Sequence, residues 1–455
     1  MMDPMPQWKR EKTFFSKIRE RINGVAVAAV VLILIWVFAL WISDRRILGP
    51  EDNGAELTAK FGSKYDAADL ALMETCNTTQ WVDGLWLNCH SECGPNKKSI
   101  CGGLNNARNR LQICMRLAID IGAGVMFPYV EQTQRPETNW ASTDTDAICP
   151  DVWWDIEMLK EKMAERCPRF QINSCQEQPE GITRDIEVLP RHYKEKPHFN
   201  QTWRMAVNQT LEDNQISLAD VTSENPLLLR YHDSHIAWSY RLSGEMKTLR
   251  KSLFRTLLFN RTILAVGEEL FESKGLNGGN YIGIHLRAEY DWPTYWGTPE
   301  RQMEMHAAEV RKTNAEAEEP VTTVYVSGGD PAVIQKFRDV MGPEYNVTDK
   351  WMLFADRPDM LEFIEELPFD QKAIVEYPVL VKGRYFQGNL ISTMSSVVVY
   401  ARTMDQPEEF FDTYIYPDTI RWGLDRFYNE PLVIKGDRHT KEFVMNGQDI
   451  MDSFP

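Results

Sequence analysis

Positive charge is scarce in this chain, which has 50 lysines and arginines against 66 aspartates and glutamates. The formal net charge of −16 argues against general nucleic-acid binding, because that function requires a basic surface for the phosphate backbone. One local basic pocket for a small anion remains compatible with this balance. An internal repeat and a long low-complexity run are also lacking, and the 11% aromatic content argues against general disorder. At 455 residues the chain exceeds one ordinary core, so we expect two domains.

The N-terminal part of the chain has the features of a membrane anchor. Residues 24–43, GVAVAAVVLILIWVFALWIS, contain no charge, and about 20 apolar residues span a bilayer core. Six lysines and arginines precede this segment, whereas two arginines closely follow it, so the positive-inside rule places the basic tail 1–23 in the cytosol. A cleaved signal peptide is the alternative, but it requires a shorter apolar run and a small-residue cleavage site. We predict an uncleaved signal anchor in the lipid bilayer, with type II topology.

Cysteine usage agrees with a lumenal location beyond the anchor. Eight cysteines follow it: Cys76, Cys89, Cys93, Cys101, Cys114, Cys149, Cys167 and Cys175. An even number in this context predicts disulfides, with 105 possible pairings. A zinc site at Cys89 and Cys93 is the alternative, but it lacks a second matching pair, and His90 alone does not complete it.

N-glycosylation sequons also support the secretory pathway, in the membrane of the Golgi or the ER. Five are present: Asn77, Asn200, Asn208, Asn260 and Asn346.

The remainder of the chain is predicted to form a stem, residues 44–74, and two Rossmann-like domains, residues 75–265 and 266–455. Strand-like runs such as NYIGIHL, residues 280–286, and TTVYVS, residues 322–327, alternate with helical patterns. Such alternation is typical of α/β proteins with parallel sheets.

The stretch YIGIHLRAEYDW, residues 281–292, is the first candidate site. Side chains alternate along a strand, so His285 and Arg287 share the face opposite the aliphatic residues. Ligands bind outside the carboxyl ends of strands in open α/β sheets, and a guanidinium can grip a diphosphate with two parallel bonds. This predicts stabilisation of a nucleotide leaving group. A structural ion pair between Arg287 and Glu289 or Asp291 is the alternative.

The stretch GGLNNARNRLQICMRLAIDIGAGVMFP, residues 102–128, is the second candidate. Gly102 and Gly103 precede a helical pattern, and a glycine turn at a helix start lets backbone N–H groups approach an anion. A tight turn that only starts a core helix is the alternative.

The stretch GNLISTMSSVVVYAR, residues 388–402, is the third candidate. Four hydroxyl residues crowd the start of an apolar run, and a helix starting there would present hydroxyls and N–H groups to a phosphate. Simple N-capping by one serine is the alternative.

An acidic pair, Asp144 and Asp146, supports a competing interpretation. Many metal-dependent glycosyltransferases hold a divalent cation with such a pair, because hard cations bind carboxylates. A solvated loop is the alternative.

Together, the three stretches resemble the protein O-fucosyltransferase superfamily, including its plant branch. GGLNNAR is similar to the family's N-terminal segment, IHLRAEYD to its His-Leu-Arg-x-Glu-x-Asp motif, and GNLISTMSS to its C-terminal Gly-Asn-x-x-Ser-Ser/Thr segment. The resemblance implies a GT-B fold, in which an acceptor-side domain and a nucleotide-sugar-binding domain face each other across a cleft. It implies inverting transfer of fucose, or a related deoxyhexose, from a donor such as GDP-fucose to a hydroxyl of a protein or glycan. The resemblance further implies that neither a cofactor nor a metal is required.

The resemblance also implies roles for individual residues. Arg287 would be catalytic. The resemblance assigns no general base; Glu289 and Asp291 are candidates by their proximity to Arg287, with orientation of Arg287 as the alternative role. The nucleotide sugar would be bound by His285, Gly102, Gly103, Asn105, Glu376, Asn389, Ser392 and Thr393. Glu376 would read the guanine edge, although Pro378 is expected to disturb the helix around it. The chain has Met394 where the family often has an aromatic residue.

Two alternatives remain open at this point. One is a metal-dependent glycosyltransferase centred on Asp144 and Asp146. The other is a catalytically inactive, lectin-like member of the same fold, which would bind glycans without binding nucleotides.

Overall fold

The computed structural model describes most of the chain beyond residue 63. The described residues are 64–91, 93–94, 97–133, 145–175, 177, 181–188, 202–232, 245, 248–288, 298–389, 392–404, 413–416, 419–424 and 431–435. The predicted membrane segment 24–43 lies outside them, as do Asp144, Glu289 and Asp291. None of the helices in the described ranges combines the length and the apolar character that a membrane span requires.

The first half of the described chain is built on a five-stranded sheet. Its strands and a hairpin are β1 (Leu85–His90), β2 (Gly124–Met126), β3 (Val130–Thr133), β4 (Thr145–Ile148), β5 (Ile172–Asn173), β6 (Arg184–Glu187) and β7 (Leu227–His232). The helices are α1 (Ala67–Thr78), α2 (Leu104–Ile121), α3 (Ile156–Arg166), α4 (Trp203–Asp213), α5 (Leu249–Thr256) and α6 (Arg261–Phe271). The strand order is β5-β2-β1-β7-β6 with every pair parallel, and β3 pairs antiparallel with β4.

The second half repeats this design. Its strands are β8 (Ile282–His285), β9 (Thr323–Ser327), β10 (Asn346–Thr348), β11 (Tyr385–Asn389) and β12 (Thr413–Tyr416), followed by β13 (Thr419–Leu424) and β14 (Pro431–Lys435). The helices are α7 (Pro299–Glu316), α8 (Pro331–Met341), α9 (Lys350–Leu353), α10 (Pro358–Glu366), α11 (Phe369–Lys382) and α12 (Thr393–Thr403). The order β10-β9-β8-β11-β12 is again all parallel, while β13 and β14 form a separate antiparallel pair.

The α/β class predicted from the sequence is therefore confirmed. Central strand β1 is buried along its whole length, as expected when helices cover both faces of a parallel sheet. In β8 the predicted alternation holds, because Ile282 and Ile284 belong to one apolar cluster while Tyr281 belongs to another. Helix α8 begins at Pro331 and ends before Gly342, which adopts φ +88°, as the sequence indicated.

The strand orders locate a crevice in each sheet. In the first sheet the strands that follow β1 in the chain are added first on one side of β1 and then on the other, so the switch point lies between β1 and β7. In the second sheet the corresponding switch point lies between β8 and β11. In open parallel sheets such switch points are where ligands bind, outside the carboxyl ends of the strands. The stretches predicted from the sequence follow three of these four strands: residues 102–128 follow β1, Arg287 follows β8, and Ser392 follows β11.

Helix α1 extends the folded part toward the N-terminus. It includes residues 67–74, the last part of the predicted stem, and buries Leu70 and Leu72. The compact unit accordingly starts at Tyr65. The predicted division between residues 265 and 266 falls within α6, and it stays a prediction.

Helix α11 runs without interruption through Pro378, so the predicted disturbance of this helix is wrong. The partner helix α6 explains the tolerance. A Cβ atom on Gly267 would lie 2.3 Å from the Val375 carbonyl oxygen and 2.9 Å from Pro378 Cδ. The glycine thus lets α6 pack directly on the backbone and proline ring of α11.

All eight cysteines form disulfides, as predicted. The pairs are Cys76–Cys167, Cys89–Cys114, Cys93–Cys101 and Cys149–Cys175. Since Cys89 and Cys93 are each bonded to another cysteine, the zinc alternative is wrong. The second pair joins β1 to α2, and the third closes the loop immediately before Gly102.

Candidate active site

A cavity of about 370 Å³ lies where the carboxyl ends of the two sheets meet. Residues of both halves line it. From the first half these include Gly102, Gly103, Asn105, Glu131, Thr133 and Thr145, and from the second half His285, Arg287, Ser327, Asp370, Glu376, Ser392 and Thr393. Eight of the residues singled out from the sequence thus share one cavity, although they are spread over 292 positions between 102 and 393.

The backbone of Arg287 is held from behind by two buried amides. Gln302, on the first turn of α7, donates from Nε2 to the Arg287 carbonyl oxygen at 2.7 Å. Asn389 donates from Nδ2 to Gln302 Oε1 at 3.3 Å. Both amide side chains are completely buried. Asn389, which was predicted to bind the ligand, therefore does not line the cavity. It contacts Gln302, which holds the backbone of Arg287.

His285 is fixed by a serine of α12. Its Nδ1 lies 2.7 Å from Ser395 Oγ, and the same Oγ accepts the backbone N–H of Asn389 at 2.9 Å. Ser395 is fully buried, and His285 is 7% exposed where it lines the cavity. The end of β8, the end of β11 and the start of α12 are thus joined through one hydroxyl group.

The start of α12 keeps its hydroxyl groups toward the cavity. Ser392 occupies the N-cap position, but its side chain makes no capping hydrogen bond to the described helix backbone. The alternative of a serine acting only as a cap is therefore wrong. Ser392 and Thr393 line the cavity at the positive end of an 11-residue helix.

The start of α2 faces the same cavity from the other half. Gly102 and Gly103 adopt φ +100° and +85°, a conformation that favours glycine. A Cβ atom on Gly103 would lie 3.2 Å from Asp370 Oδ1, so the turn also permits close approach between the halves. Arg110 holds the preceding residue by donating from Nη1 to the Cys101 carbonyl oxygen at 2.7 Å. As at α12, no side chain caps this helix among the described residues.

Asn105 connects the two halves. Its Nδ2 donates to Met394 Sδ at 3.2 Å, so the residue that departs from the family pattern is a direct neighbour of the predicted site. Its Oδ1 is buried and accepts no hydrogen bond from the described residues. An unmatched amide oxygen is costly to bury, and in this position it is available to a ligand hydroxyl or N–H group.

Glu376, on α11, is an acidic residue of the cavity wall. Ser327 Oγ donates to its Oε2 at 2.6 Å, Tyr325 Oη donates to its Oε1 at 3.0 Å, and Lys350 Nζ lies 3.8 Å from Oε1. Burial, followed by the adjacent Glu376 carboxylate, raises the pKa of Tyr325 well above its ordinary value. The tyrosine therefore stays protonated and remains a hydrogen-bond donor to the Glu376 carboxyl group.

Sequence reasoning missed Gln302, Lys350 and Glu131, which surround the predicted residues. Glu131 carried one signal, namely an acidic residue directly after the apolar run GVMFPYV, residues 124–130. Gln302 and Lys350 carried none, because their roles depend on contacts with residues 15 and 26 positions away.

Of the competing acidic pair, Asp144 and Asp146, the structure describes only Asp146. Asp146 lies on the exposed strand β4 opposite Gln132, on the face turned away from Thr145. Within the described ranges, no group of three or more histidine, cysteine or acidic residues is arranged to hold a metal ion.

Comparison with known proteins gives a family match and several structural matches. The model of the family described as GDP-fucose protein O-fucosyltransferase matches residues 159–405, more than half of the 455 residues. No curated protein matches the chain. Among solved structures, the chain is similar to POFUT1 in complex with GDP, with 13% identity and a TM-score of 0.42, covering 75% of this chain and 100% of that one. It is also similar to fucosyltransferase NodZ from Bradyrhizobium, with 12% identity and a TM-score of 0.38, covering 78% of this chain and 99% of that one.

Proposed function

Because the chain belongs to the GDP-fucose protein O-fucosyltransferase family, and is therefore a glycosyltransferase, we propose that its cavity binds GDP-fucose and transfers the fucose to an acceptor hydroxyl. The family resemblance predicted from three sequence motifs is confirmed. One observation carries the proposal for the cavity: Arg287, the start of α12 and the glycine turn before α2 converge there. These are three independent sources of positive potential in an otherwise acidic protein.

The diphosphate is the group that these three elements fit. The Arg287 guanidinium can form two parallel hydrogen bonds with phosphate oxygens and keeps its charge throughout the reaction. The uncapped N–H groups of α12, with the hydroxyls of Ser392 and Thr393, can bind further phosphate oxygens. Negative charge grows on the diphosphate as its bond to the sugar breaks, so donors fixed in advance stabilise the transition state more than the ground state.

Glu376 is suited to the nucleobase. Guanine presents two adjacent N–H donors, and a carboxylate has about four lone-pair sites. In this structure the carboxylate accepts one hydroxyl hydrogen bond at each oxygen, which orients it rigidly. Asn105, with its unmatched Oδ1, would bind the sugar end of the donor from the other half.

The proposed reaction is a direct displacement across a GT-B cleft. An acceptor hydroxyl attacks the anomeric carbon from the side opposite the diphosphate, which inverts the configuration at that carbon. Arg287 and the two helix starts supply the charge stabilisation that a divalent cation provides in other transferases. We place the reaction in the lumen of the Golgi or ER, on a chain anchored through residues 24–43, as the charge pattern around that segment predicts.

Substitution of Arg287 tests this proposal. Arg287→Ala should lower the rate of GDP release from GDP-fucose by about 10²–10³-fold, and Arg287→Lys should recover only part of it, because lysine lacks the planar fork. Arg301→Ala is the matched control, since Arg301 is an exposed arginine of α7 whose side chain donates to Glu304. Near-wild-type turnover by Arg287→Ala, with an unchanged melting temperature, would remove Arg287 from the mechanism.

Two further measurements separate the alternatives. Calorimetry with GDP, UDP and their sugars should give binding with guanine nucleotides, whereas a lectin-like protein would bind glycans and no nucleotide. Activity should persist in a chelator and in Asp146→Ala. Loss of activity in both would favour the metal-dependent alternative over ours.

A further inference from the structure

Glu131 is a buried carboxylate in the wall of the cavity. It occupies the second position of β3 and is only 4% exposed. Thr133 and Thr145 lie on the same face of the β3–β4 hairpin and also line the cavity. Thr145 Oγ1 donates to Glu131 Oε2 at 2.8 Å. The other oxygen, Oε1, accepts no hydrogen bond from any described residue.

The surrounding chain holds this carboxylate in place. The Glu131 backbone N–H donates to the Ile100 carbonyl oxygen at 2.8 Å, which joins β3 to the loop closed by Cys93–Cys101. Gly94 of that loop lies against the side chain, since a Cβ atom at this position would be 2.2 Å from Glu131 Oε1. The loop thus holds the carboxylate in the wall of the cavity that Gly102, Gly103 and Arg287 also line.

The other described carboxylates of the cavity wall are engaged by protein donors. Both oxygens of Glu376 accept hydroxyl hydrogen bonds, and Asp370 Oδ2 accepts the backbone N–H of Thr133 at 2.9 Å. Hydrogen bonds to a carboxylate stabilise its ionised form and make it a weaker base. Burying a carboxylate oxygen without a donor costs free energy, and such a cost is recovered when a donor arrives with the substrate.

We propose that Glu131 is the general base of the transfer reaction, a proposal that rests on the proposed function. The Glu131 carboxylate accepts the proton of the attacking hydroxyl. The hydroxyl oxygen forms a bond to the anomeric carbon, the bond from that carbon to the diphosphate oxygen breaks, and the electron pair leaves with GDP. The proton on Glu131 is then released to solvent. With water in place of the acceptor, the same step yields fucose and GDP.

Hydrolysis of GDP-fucose by the full chain therefore tests the base directly, with GDP release as the readout. Glu131→Gln preserves the shape of the side chain and should lower kcat by about 10²–10⁴-fold, while the Kd for GDP stays unchanged. If Glu131 acts as the base, the wild-type rate should fall at acidic pH as the carboxylate is protonated, and Glu131→Gln should not show this fall. Glu157→Gln is the control, because that side chain is 75% exposed on α3.

Chemical rescue of one further variant separates a base from a structural carboxylate. Sodium formate should restore part of the activity of Glu131→Ala, since a small carboxylate can take the vacated place, and it should not restore Glu131→Gln.

The outcomes are distinguishable. Wild-type hydrolysis together with an active Glu131→Gln, or a Glu131→Ala that formate does not rescue, would overturn the base and leave the proposed function intact. A wild-type chain that neither binds GDP-fucose nor releases GDP from it would overturn both.

Discussion

His285 Nδ1 lies 2.7 Å from Ser395 Oγ, and this pair connects the strand that leads to Arg287 with the helix that starts at Ser392 and Thr393. The serine hydroxyl also accepts the Asn389 backbone N–H at 2.9 Å. Two cavity walls that are more than 100 residues apart in the chain are therefore positioned by one buried oxygen atom.

Removal of that oxygen should weaken both the fold and donor binding. Ser395→Ala leaves the buried Asn389 N–H without an acceptor, which should lower the free energy of unfolding by about 1–3 kcal/mol. It should also raise the Kd for GDP, because His285 loses its support. Ser396→Ala is the matched control, since its hydroxyl donates only to the Ser392 carbonyl oxygen at 3.4 Å. Denaturant unfolding and calorimetry measure the two effects, and equal behaviour of the two variants would contradict this role.

Buried His306 should make the protein less stable in mild acid. Burial chiefly, and His285 nearby, lower the pKa of His306 to about 4 from its ordinary 6.5. Because the unfolded chain binds this proton more tightly, the stability contribution is complete above pH 6.5 and is lost as the pH falls toward 4. Between pH 7 and pH 5, roughly 2 kcal/mol of unfolding free energy should disappear on this account.

His306→Gln isolates this contribution, because glutamine does not titrate and can still hydrogen-bond to Gln387. The difference in unfolding free energy between pH 7 and pH 5 should be smaller in the variant than in the wild type. An identical pH dependence in both proteins would show that His306 does not take up a proton on unfolding.

The disulfides with the longest and the shortest sequence separation should differ in what they stabilise. Cys76–Cys167 spans 91 residues and Cys93–Cys101 spans 8, so the loop-entropy model gives losses of about 4–5 and about 2–3 kcal/mol when each pair is replaced by serine. The short loop leads directly into the Gly102–Gly103 turn, however. Its removal should weaken GDP binding more than removal of the long-range pair does. Calorimetry with GDP on both double-serine variants, at a temperature where both are folded, measures the two losses in GDP affinity. Their order should be the reverse of the order of the two losses in unfolding free energy.

The predicted topology can be tested through N-glycans. Asn77, Asn208 and Asn346 are exposed and stand in sequons, so a lumenal chain should carry glycans there. Cells should produce a protein whose mass falls on treatment with an amidase that removes N-glycans, and Asn346→Gln should remove one glycan. Asn214→Gln is the control, because Asn214 is exposed outside any sequon. A fully unglycosylated protein in protease-accessible form would place the fold in the cytosol.

Most residues on the donor-binding side of the site could be predicted from local patterns in the sequence. Strand alternation fixed the face shared by His285 and Arg287, and the rule that ligands bind at the carboxyl ends of strands placed both at the cavity. The hydroxyl cluster before α12 followed from the same reasoning. These features depend on neighbouring residues and on the element type, which a single sequence contains.

What the sequence could not provide depends on contacts between distant segments. The partner of each cysteine required the packing of α1 against α3 and of β1 against α2. Glu131 became a candidate only when the β3–β4 hairpin met the disulfide loop, and Pro378 was misjudged because its neighbour Gly267 lies 111 positions earlier. Close approach between the backbones of two distant segments leaves no periodic pattern in the sequence.

The contact between Gly267 and Pro378 has a consequence far from the reaction. At this contact a glycine of α6 meets a carbonyl oxygen and an imino ring of α11, so no rotatable side chain is available at that point to absorb a change in spacing. Glu376 sits on α11 two residues before Pro378. The depth at which a nucleobase can seat is thus set by how closely two backbones touch, and any bulkier residue at position 267 would shift the acidic wall itself.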